Sequence, residues 1–342
     1  MRSLVEALCS DRCAGRKPGT PGGREARDLV KSALQRAGLD PHEQEVPGCG
    51  GANVIATIAG DSDRYVLVGA HYDHLGSHGR TIYRGADDNA AAVAILVDVA
   101  QAIAQRRPAG RGVIVAAFDG EEPPYFLTGA MGSQHFVKEP PVPLERVDMM
   151  VCMDLVGHAF GPPSVPGEVR SSLFALGAER SSGTGEHVDR IARSEGGVVV
   201  RRADAEIIPP LSDYEPFWRR EVSFLFLTSG RSRYYHTPED TPEKLDYIKM
   251  AATARWLERF VRETCARDEA EVSFQGSARD DASTLRSLIA LTGALASVSQ
   301  EAEAGRAMAE ALLTECDTSG RLPERMQSQA RMLVGMLEQR LA

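Results

Sequence analysis

The 342-residue chain is poor in cysteine, in aromatic residues and in long apolar runs. Its six cysteines lack the paired spacing of a zinc ribbon or finger, so we expect reduced thiols rather than a disulfide or cysteine–zinc scaffold. No apolar run approaches the roughly 20 residues of a membrane-spanning helix, and we expect no membrane partner. The N-terminal segment lacks the apolar core and cleavage site of a secretory signal, which makes a cytoplasmic location the expectation.

Basic residues are also in deficit, with 39 Lys and Arg against 48 Asp and Glu and a formal net charge of −9. An acidic balance argues against nucleic acid as a partner. The 43% hydrophobic and 25% charged residues are ordinary for a soluble globular protein and exclude wholesale disorder. The length suffices for one large domain with a smaller appendage.

Apolar runs and helical patterns alternate over the first 265 residues. Runs that end abruptly in polar residues predict strands over 53–59, 65–70, 113–118, 147–153, 171–176, 197–201 and 222–227. Apolar residues at helical spacing predict helices over 23–39, 89–105, 128–137, 185–194 and 243–265. This alternation predicts an α/β fold, with a mixed, mostly parallel sheet sandwiched by helices.

A polar, charged stretch separates this region from an all-helical C-terminal extension. We therefore predict a main α/β domain over residues 1–266, a linker over 267–282 and a helical extension over 283–342. Alanine and leucine at helical spacing predict the helices 285–296, 301–316 and 323–341. The sequence leaves three roles open for this extension: packing on the main domain, forming a homo-oligomer interface, or gating a site in that domain.

Histidines and acidic residues stand at, or just after, the carboxyl ends of the predicted strands: His71, Asp87, Glu121, Glu122, Asp154 and His236. In an open α/β sheet ligands bind at that edge, so these residues are predicted to share one crevice. Imidazole and carboxylate without thiolate suit zinc, and suit manganese or cobalt less well. Even with one of the paired glutamates set aside, two imidazoles and three carboxylates exceed what a single open catalytic zinc needs, and they suit two metal ions that share a carboxylate.

Six motifs occur in order: HYD at 71–73, GADDNAAAV at 85–93, DGEE at 119–122, MDLVG at 153–157, SDYEPF at 212–217 and YHTPEDT at 235–241. Together they resemble the co-catalytic zinc aminopeptidases, the family of the Aeromonas and Streptomyces secreted aminopeptidases. The resemblance spans roughly residues 20 to 265. It implies a zinc-exopeptidase-like fold, two zinc ions per chain, and a peptide or small aminoacyl substrate.

The resemblance also implies a role for each ligand. His71 and Asp154 would hold one zinc, Glu122 and His236 would hold the other, and Asp87 would bridge the two ions. The implied bridging position carries a cis peptide bond, which would here be Asp87–Asp88.

Three further residues take catalytic roles by the same resemblance. Glu121 would be the general base that activates a water and passes its proton to the leaving amine. Tyr235 would stabilise the tetrahedral oxyanion. Asp73 would fix the tautomer of His71 through the second ring nitrogen.

Some positions depart from the family pattern. Pro123 and Pro124 follow the paired glutamates in a longer link, and we expect them to re-aim this loop and narrow the substrate pocket. Tyr214 stands where many relatives have His. We expect His74 and His78 to be solvated loop residues without a role in the site.

Other functions remain compatible with these motifs. A glutaminyl-cyclase-like transferase with a single zinc would share the fold, although that group typically has Trp where Tyr235 stands here. A carboxypeptidase or deacylase would use another metallopeptidase scaffold. An inactive binding module is disfavoured because ligands and base are all in place.

Overall fold

The computed structural model describes residues 1–296 and 299–341 and centres on one eight-stranded sheet. The strands of the described residues are β1 (His42–Val46), β2 (Gly51–Ile58), β3 (Tyr65–His71), β4 (Ser77–His78), β5 (Thr81–Ile82), β6 (Gly112–Phe118), β7 (Val147–Met153), β8 (Ser172–Leu176), β9 (Val199–Ala203) and β10 (Ser223–Thr228). Strands β4 and β5 form a separate two-stranded hairpin, and the other eight form the sheet. The sheet order is β1-β2-β6-β3-β7-β10-β8-β9. The central strands β6, β3, β7 and β10 run parallel, and three pairs nearer the edges are antiparallel. The predicted mixed, mostly parallel sheet is confirmed.

Helices cover both faces of the sheet. They are α1 (Arg2–Leu8), α2 (Pro21–Arg36), α3 (Ala91–Gln105), α4 (Gly132–Lys138), α5 (Gly167–Arg170), α6 (Thr184–Ala192), α7 (Glu215–Trp218), α8 (Tyr247–Cys265), α9 (Asp281–Leu295), α10 (Gln300–Thr314) and α11 (Glu324–Leu341). Helix α8 begins four residues later than predicted. The reason is that Asp246 caps it, accepting hydrogen bonds from the backbone N–H groups of Ile248 and Lys249.

Alternate residues of each central strand enter different hydrophobic clusters, because side chains of a strand point to opposite faces in turn. Val66 and Val68 of β3 pack with the cluster that holds α2, α3 and α8. Leu67 between them packs with the opposite cluster, together with Phe118 at the end of β6. The central strands are therefore buried on both faces, and their polar residues lie only at their ends.

The C-terminal helices cover the second face of the sheet. Leu285 of α9, Leu312 of α10 and Leu333 of α11 belong to the same hydrophobic cluster as Phe118. Ion pairs also hold the segment before α9 in place, since Arg279 forms salt bridges with Asp204, Glu206 and Asp281. The extension thus packs on the catalytic region rather than standing apart from it.

The cysteines and the helices of the described residues bear on the expectations of reduced thiols and of no membrane span. All six cysteines carry free thiols, and five of them are buried. Among the residues that the structure describes, no helix has the length and apolar character needed to cross a membrane.

Candidate metal centre

The carboxyl ends of β3, β6 and β7 meet at one edge of the sheet because these strands are parallel neighbours. His71 is the last residue of β3, Glu121 and Glu122 follow β6, and Asp154 follows β7. His236 arrives from the loop after β10. Sequence positions that are far apart are in this way delivered to one crevice, as the strand pattern predicted.

The buried side chains of His71, Asp88 and Asp154 form a first group of atoms that could bind a metal ion, called donors below. Nε2 of His71 lies 3.5 Å from Oδ1 of Asp88 and 3.5 Å from Oδ1 of Asp154. The carboxylate of Glu121 stands next to this group, with its Oε2 3.8 Å from the same nitrogen.

A second group lies on the other side of Asp88. Nε2 of His236 is 3.2 Å from Oδ2 of Asp88 and 3.1 Å from Oε2 of Glu122. Asp88 therefore directs one carboxylate oxygen to each group. That is the arrangement expected of a bridging ligand between two metal ions.

The donor atoms fit zinc by two physical criteria. Both ring nitrogens of His71, Oδ1 of Asp154, Oδ2 of Asp88 and Nε2 of His236 are buried without a hydrogen-bond partner. Such atoms are costly unless something else satisfies them. Ligands at about 2.0–2.1 Å around a tetrahedral zinc stand about 3.3 Å from one another, close to the separations of the two groups.

The carboxylate shared by the two groups belongs to Asp88, one residue later than the sequence predicted. Asp87 points away from both groups: its Oδ1 accepts hydrogen bonds from the backbone N–H groups of Gly157 (2.8 Å) and His158 (3.0 Å), and its Oδ2 lies 2.6 Å from Nδ1 of His158. The backbone turns out of helical geometry at Asp88, so the adjacent carboxylates face in opposite directions. The cis peptide bond is likewise Asp88–Asn89, not Asp87–Asp88.

Residues that the sequence analysis did not single out hold this loop. Asp240 accepts hydrogen bonds from the backbone N–H groups of Asp87 and Asp88. The amide of Asn89 donates to the carbonyl of Met153, at the end of β7. Asp240 lies in the same motif as His236, and this proximity was the one sequence signal available for it.

Arg16, which is fully buried, supports the same loop from the N-terminal segment. Its guanidinium donates to the carbonyls of Gly85 (2.9 Å) and Asp88 (3.3 Å), and also to those of Leu8, Tyr72 and Arg84. Four of these five contacts join residues more than 50 positions apart, so no local sequence pattern predicts them.

Arg16→Met should therefore destabilise the protein. The change leaves several buried carbonyls without donors, and we expect a loss of about 2–4 kcal/mol in the free energy of unfolding. Urea denaturation of chelator-treated protein measures this loss. Arg12→Met is the matched control, because Arg12 makes only an exposed ion pair with Glu25 and should cost less than about 1 kcal/mol. Equal losses in the two variants would contradict the role given to Arg16.

The pair Glu121–Glu122 is positioned by Asp73. One carboxylate oxygen of Asp73 accepts from the backbone N–H of Glu121 and the other from that of Glu122, both at 3.1 Å. Asp73 also faces Nδ1 of His71, as predicted, but at 3.6 Å, which is too long for a hydrogen bond. Asp73 thus acts on the orientation of the glutamates as well as facing the histidine.

The charges of the cluster favour a bound cation. Burial raises the pKa of Glu121 well above its usual value, while nearby His71 lowers it. Burial likewise raises the pKa of Asp88 to about 6, and the charge of Glu122 adds to this. Burial alone would lower the pKa of His71, but the surrounding carboxylates, Glu121 foremost, raise it. An excess of buried negative charge is thus gathered where a divalent ion would neutralise it.

The expectation for His74 is wrong. His74 is fully buried, and its Nδ1 lies 2.7 Å from Oε1 of Glu122, whose other oxygen faces His236. His74 thereby orients Glu122 and, with Asp88, belongs to the second group of donors. His78 is exposed, as expected. The HYDH sequence at 71–74 could have predicted this position, because a histidine three residues after His71 stays close to the same edge of the sheet.

The motif around Tyr214 contributes packing and one further carboxyl group. Tyr214 is buried and stacks on Phe226 with ring centroids 4.6 Å apart, so it takes no part in binding metal. Asp213 before it is fully buried, and burial raises its pKa to about 7 while His71 lowers it. It adds a carboxyl group close to the first group of donors.

A cleft of about 190 Å³ opens onto the two groups. Tyr235 lines it, with its ring stacked on that of His236 at a centroid distance of 3.9 Å. Pro123 and Phe126 of the long link after the glutamates also line it, so this loop bounds the pocket as expected. Other parts of the wall come from Leu155, from Ile208 and Leu211, from the end of β10 with the loop after it, and from Glu338 of α11.

Fold and donor set together define a zinc-exopeptidase-like protein. The model of the family described as "Peptidase family M28" matches residues 53–261. The chain belongs to this family of zinc metallopeptidases.

Two relatives share part of their sequence with this chain. The uncharacterised protein YfbL of Escherichia coli is 28% identical over 251 residues, which cover 66% of this chain and 75% of YfbL. A glutaminyl-peptide cyclotransferase of Drosophila melanogaster is 27% identical over 239 residues, covering 62% of this chain and 64% of that enzyme. The chain thus spans just under two thirds of the cyclotransferase.

Solved structures share the fold at lower identity. A zinc-dependent exopeptidase from Parabacteroides distasonis has a TM-score of 0.60 at 22% identity, over 77% of this chain and 98% of its own. The LapA aminopeptidase of Legionella pneumophila has a TM-score of 0.62 at 15% identity, over 78% of this chain and 72% of its own. At these identities the likeness shows the fold alone.

Proposed function

We propose that this protein is an aminopeptidase that holds two zinc ions and removes the N-terminal residue from peptides. The observation that carries the proposal is the position of Asp88, whose two carboxylate oxygens are divided between two groups of donors. His71 and Asp154 would complete one zinc site, and Glu122 and His236 the other. Asp88 takes the bridging role that the sequence analysis gave to Asp87.

When bound, zinc would polarise the scissile carbonyl and lower the pKa of water in the cleft. Glu121 stands beside the first group of donors and is the general base of the proposed reaction. It takes a proton from the attacking water and delivers it to the leaving amine as the C–N bond breaks. Tyr235, in the wall of the cleft, donates a hydrogen bond from its hydroxyl group to the oxyanion that forms during attack.

A single-zinc glutaminyl cyclase is the second candidate, and the Drosophila relative favours it. Such an enzyme would need only Asp88, Glu122 and His236. The buried donors of His71 and Asp154 without hydrogen-bond partners argue for a second ion, because a cyclase of this kind would leave them unsatisfied.

Product analysis separates the two candidates. The protein, loaded with zinc and measured for metal content, is incubated with a Gln-initiated peptide and with aminoacyl-p-nitroanilides. We expect two zinc ions per chain, release of free amino acid and loss of activity with a chelator. Loss of ammonia from the Gln peptide, with the chain length kept and the nitroanilides intact, would establish the cyclase instead. An N-acetylated copy of the peptide should resist cleavage, and its hydrolysis would point to a deacylase or an enzyme acting at the other end.

A further inference from the structure

A second cavity, of about 110 Å³, lies behind the catalytic cleft. Phe160 and Ile208 line it on the side of the sheet, and Leu291 of α9 with Val334 and Leu337 of α11 line it on the other. Its lining is therefore predominantly apolar. Seven of the fifteen lining residues belong to the C-terminal extension, which lies outside the part of the chain that the family model matches.

This cavity adjoins the cleft. The two share Ile208, Thr228, Gly230 and Glu338 in their walls. The same cleft carries Glu121, Asp154 and His236. An apolar space therefore borders the cleft in which a substrate residue would be held at the metal centre.

An ion pair at the common wall holds the extension in place. Arg231 donates from Nε to Oε1 of Glu338 (3.0 Å) and from Nη2 to Oε2 (3.2 Å). Arg231 precedes His236 by five residues in the same loop. The pair links α11 to the loop that carries this ligand, and its two charges neutralise each other where the cleft borders the cavity.

We propose that this cavity binds the side chain of the N-terminal residue of the substrate, and that α9 and α11 thereby determine substrate preference. The inference rests on the proposed aminopeptidase function and names its substrate class: peptides that begin with a medium-sized aliphatic residue such as Leu or Met. A dry apolar cavity of about 150 Å³ holds benzene. The smaller space here accommodates an aliphatic side chain but not the indole of Trp.

Val334→Phe tests the proposal by filling the cavity from α11. The substrates are aminoacyl-coumarin amides of Leu, Ala and Trp. We expect the wild type to prefer Leu over Ala by about 10-fold or more in kcat/KM, and Val334→Phe to remove this preference by raising KM for Leu. The Ala substrate, which does not reach the cavity, should change by less than about 3-fold.

Met332→Phe is the matched control on the same helix, because Met332 is exposed and lines neither cavity nor cleft. It should leave all three substrates unchanged. Leu337→Ala makes the opposite change and covers the case in which Val334→Phe does not fold. By enlarging the cavity it should raise kcat/KM for Trp relative to Leu by about 10-fold. Thermal unfolding of each variant verifies that it is folded.

Each outcome decides the proposal. Selective loss of Leu cleavage in Val334→Phe, or a shift towards Trp in Leu337→Ala, supports it. It is overturned if folded variants change Leu and Ala cleavage in parallel, or if the wild type cleaves Ala as well as Leu. A wild type that cleaves no aminoacyl substrate but cyclises the Gln peptide would refute the aminopeptidase function itself, and the inference with it.

Discussion

Replacement of Glu121 by Gln is expected to lower kcat for aminoacyl substrates by about 10²–10⁴-fold while zinc content stays unchanged. Glutamine has nearly the same shape as glutamate but cannot take a proton from the attacking water. Glu121 belongs to neither ligand group, and the donors of both remain in place. The loss should therefore appear in the chemical step rather than in metal binding.

Steady-state kinetics, with zinc measured by mass spectrometry on the same samples, gives both readouts. Glu179→Gln is the matched control, since Glu179 is another buried glutamate but lies outside the cleft. Its activity should stay near that of the wild type. Full activity of the Glu121→Gln variant would contradict the role of Glu121 as general base. Loss of zinc from this variant would mean that Glu121 is a metal ligand.

Asp88→Asn should remove zinc, whereas Asp87→Asn should not. An asparagine amide has one oxygen and one NH₂ group, and the NH₂ group cannot serve as a ligand. Whichever way the amide is oriented, one of the two donor groups loses the carboxylate oxygen that Asp88 supplies to it. We expect zinc affinity at that site to fall by more than about 100-fold, beyond the range typical of residues that only support a ligand.

Asp87→Asn removes a carboxylate that holds the backbone at Gly157 and His158 and touches neither donor group. Its zinc affinity should fall by no more than about 10–100-fold. Competition with a chromogenic chelator measures both variants under one set of conditions. If Asp87→Asn lost zinc while Asp88→Asn kept it, the bridging role would return to Asp87.

The architecture and most of the site follow from local patterns. Residues directly after parallel strands, such as His71 and Asp154, must emerge at the same edge of the sheet. Strand order along the chain and the apolar runs were sufficient to place them. Glu121 and Glu122 followed in the same way from the end of β6.

Strand position does not determine whether Asp87 or Asp88 faces the two donor groups, because both residues lie in an irregular turn. The direction of each carboxylate there is set by hydrogen bonds to distant residues, including Asp240, 153 positions away from Asp87. Arg16 was missed, and His74 was wrongly expected to be solvated, for a related reason: their contacts depend on which loops meet, and a single sequence does not record that.

By itself, the amino-acid sequence determined the α/β class, the edge of the sheet at which acidic and histidine side chains collect, and a donor chemistry suited to zinc. These rest on periodicity and residue type, which act over a few neighbouring positions. Only the tertiary structure decided which aspartate is shared by the two donor groups, and that α9 and α11 close an apolar cavity beside the cleft. Both depend on packing between segments far apart in the chain, where many weak contacts together select one arrangement.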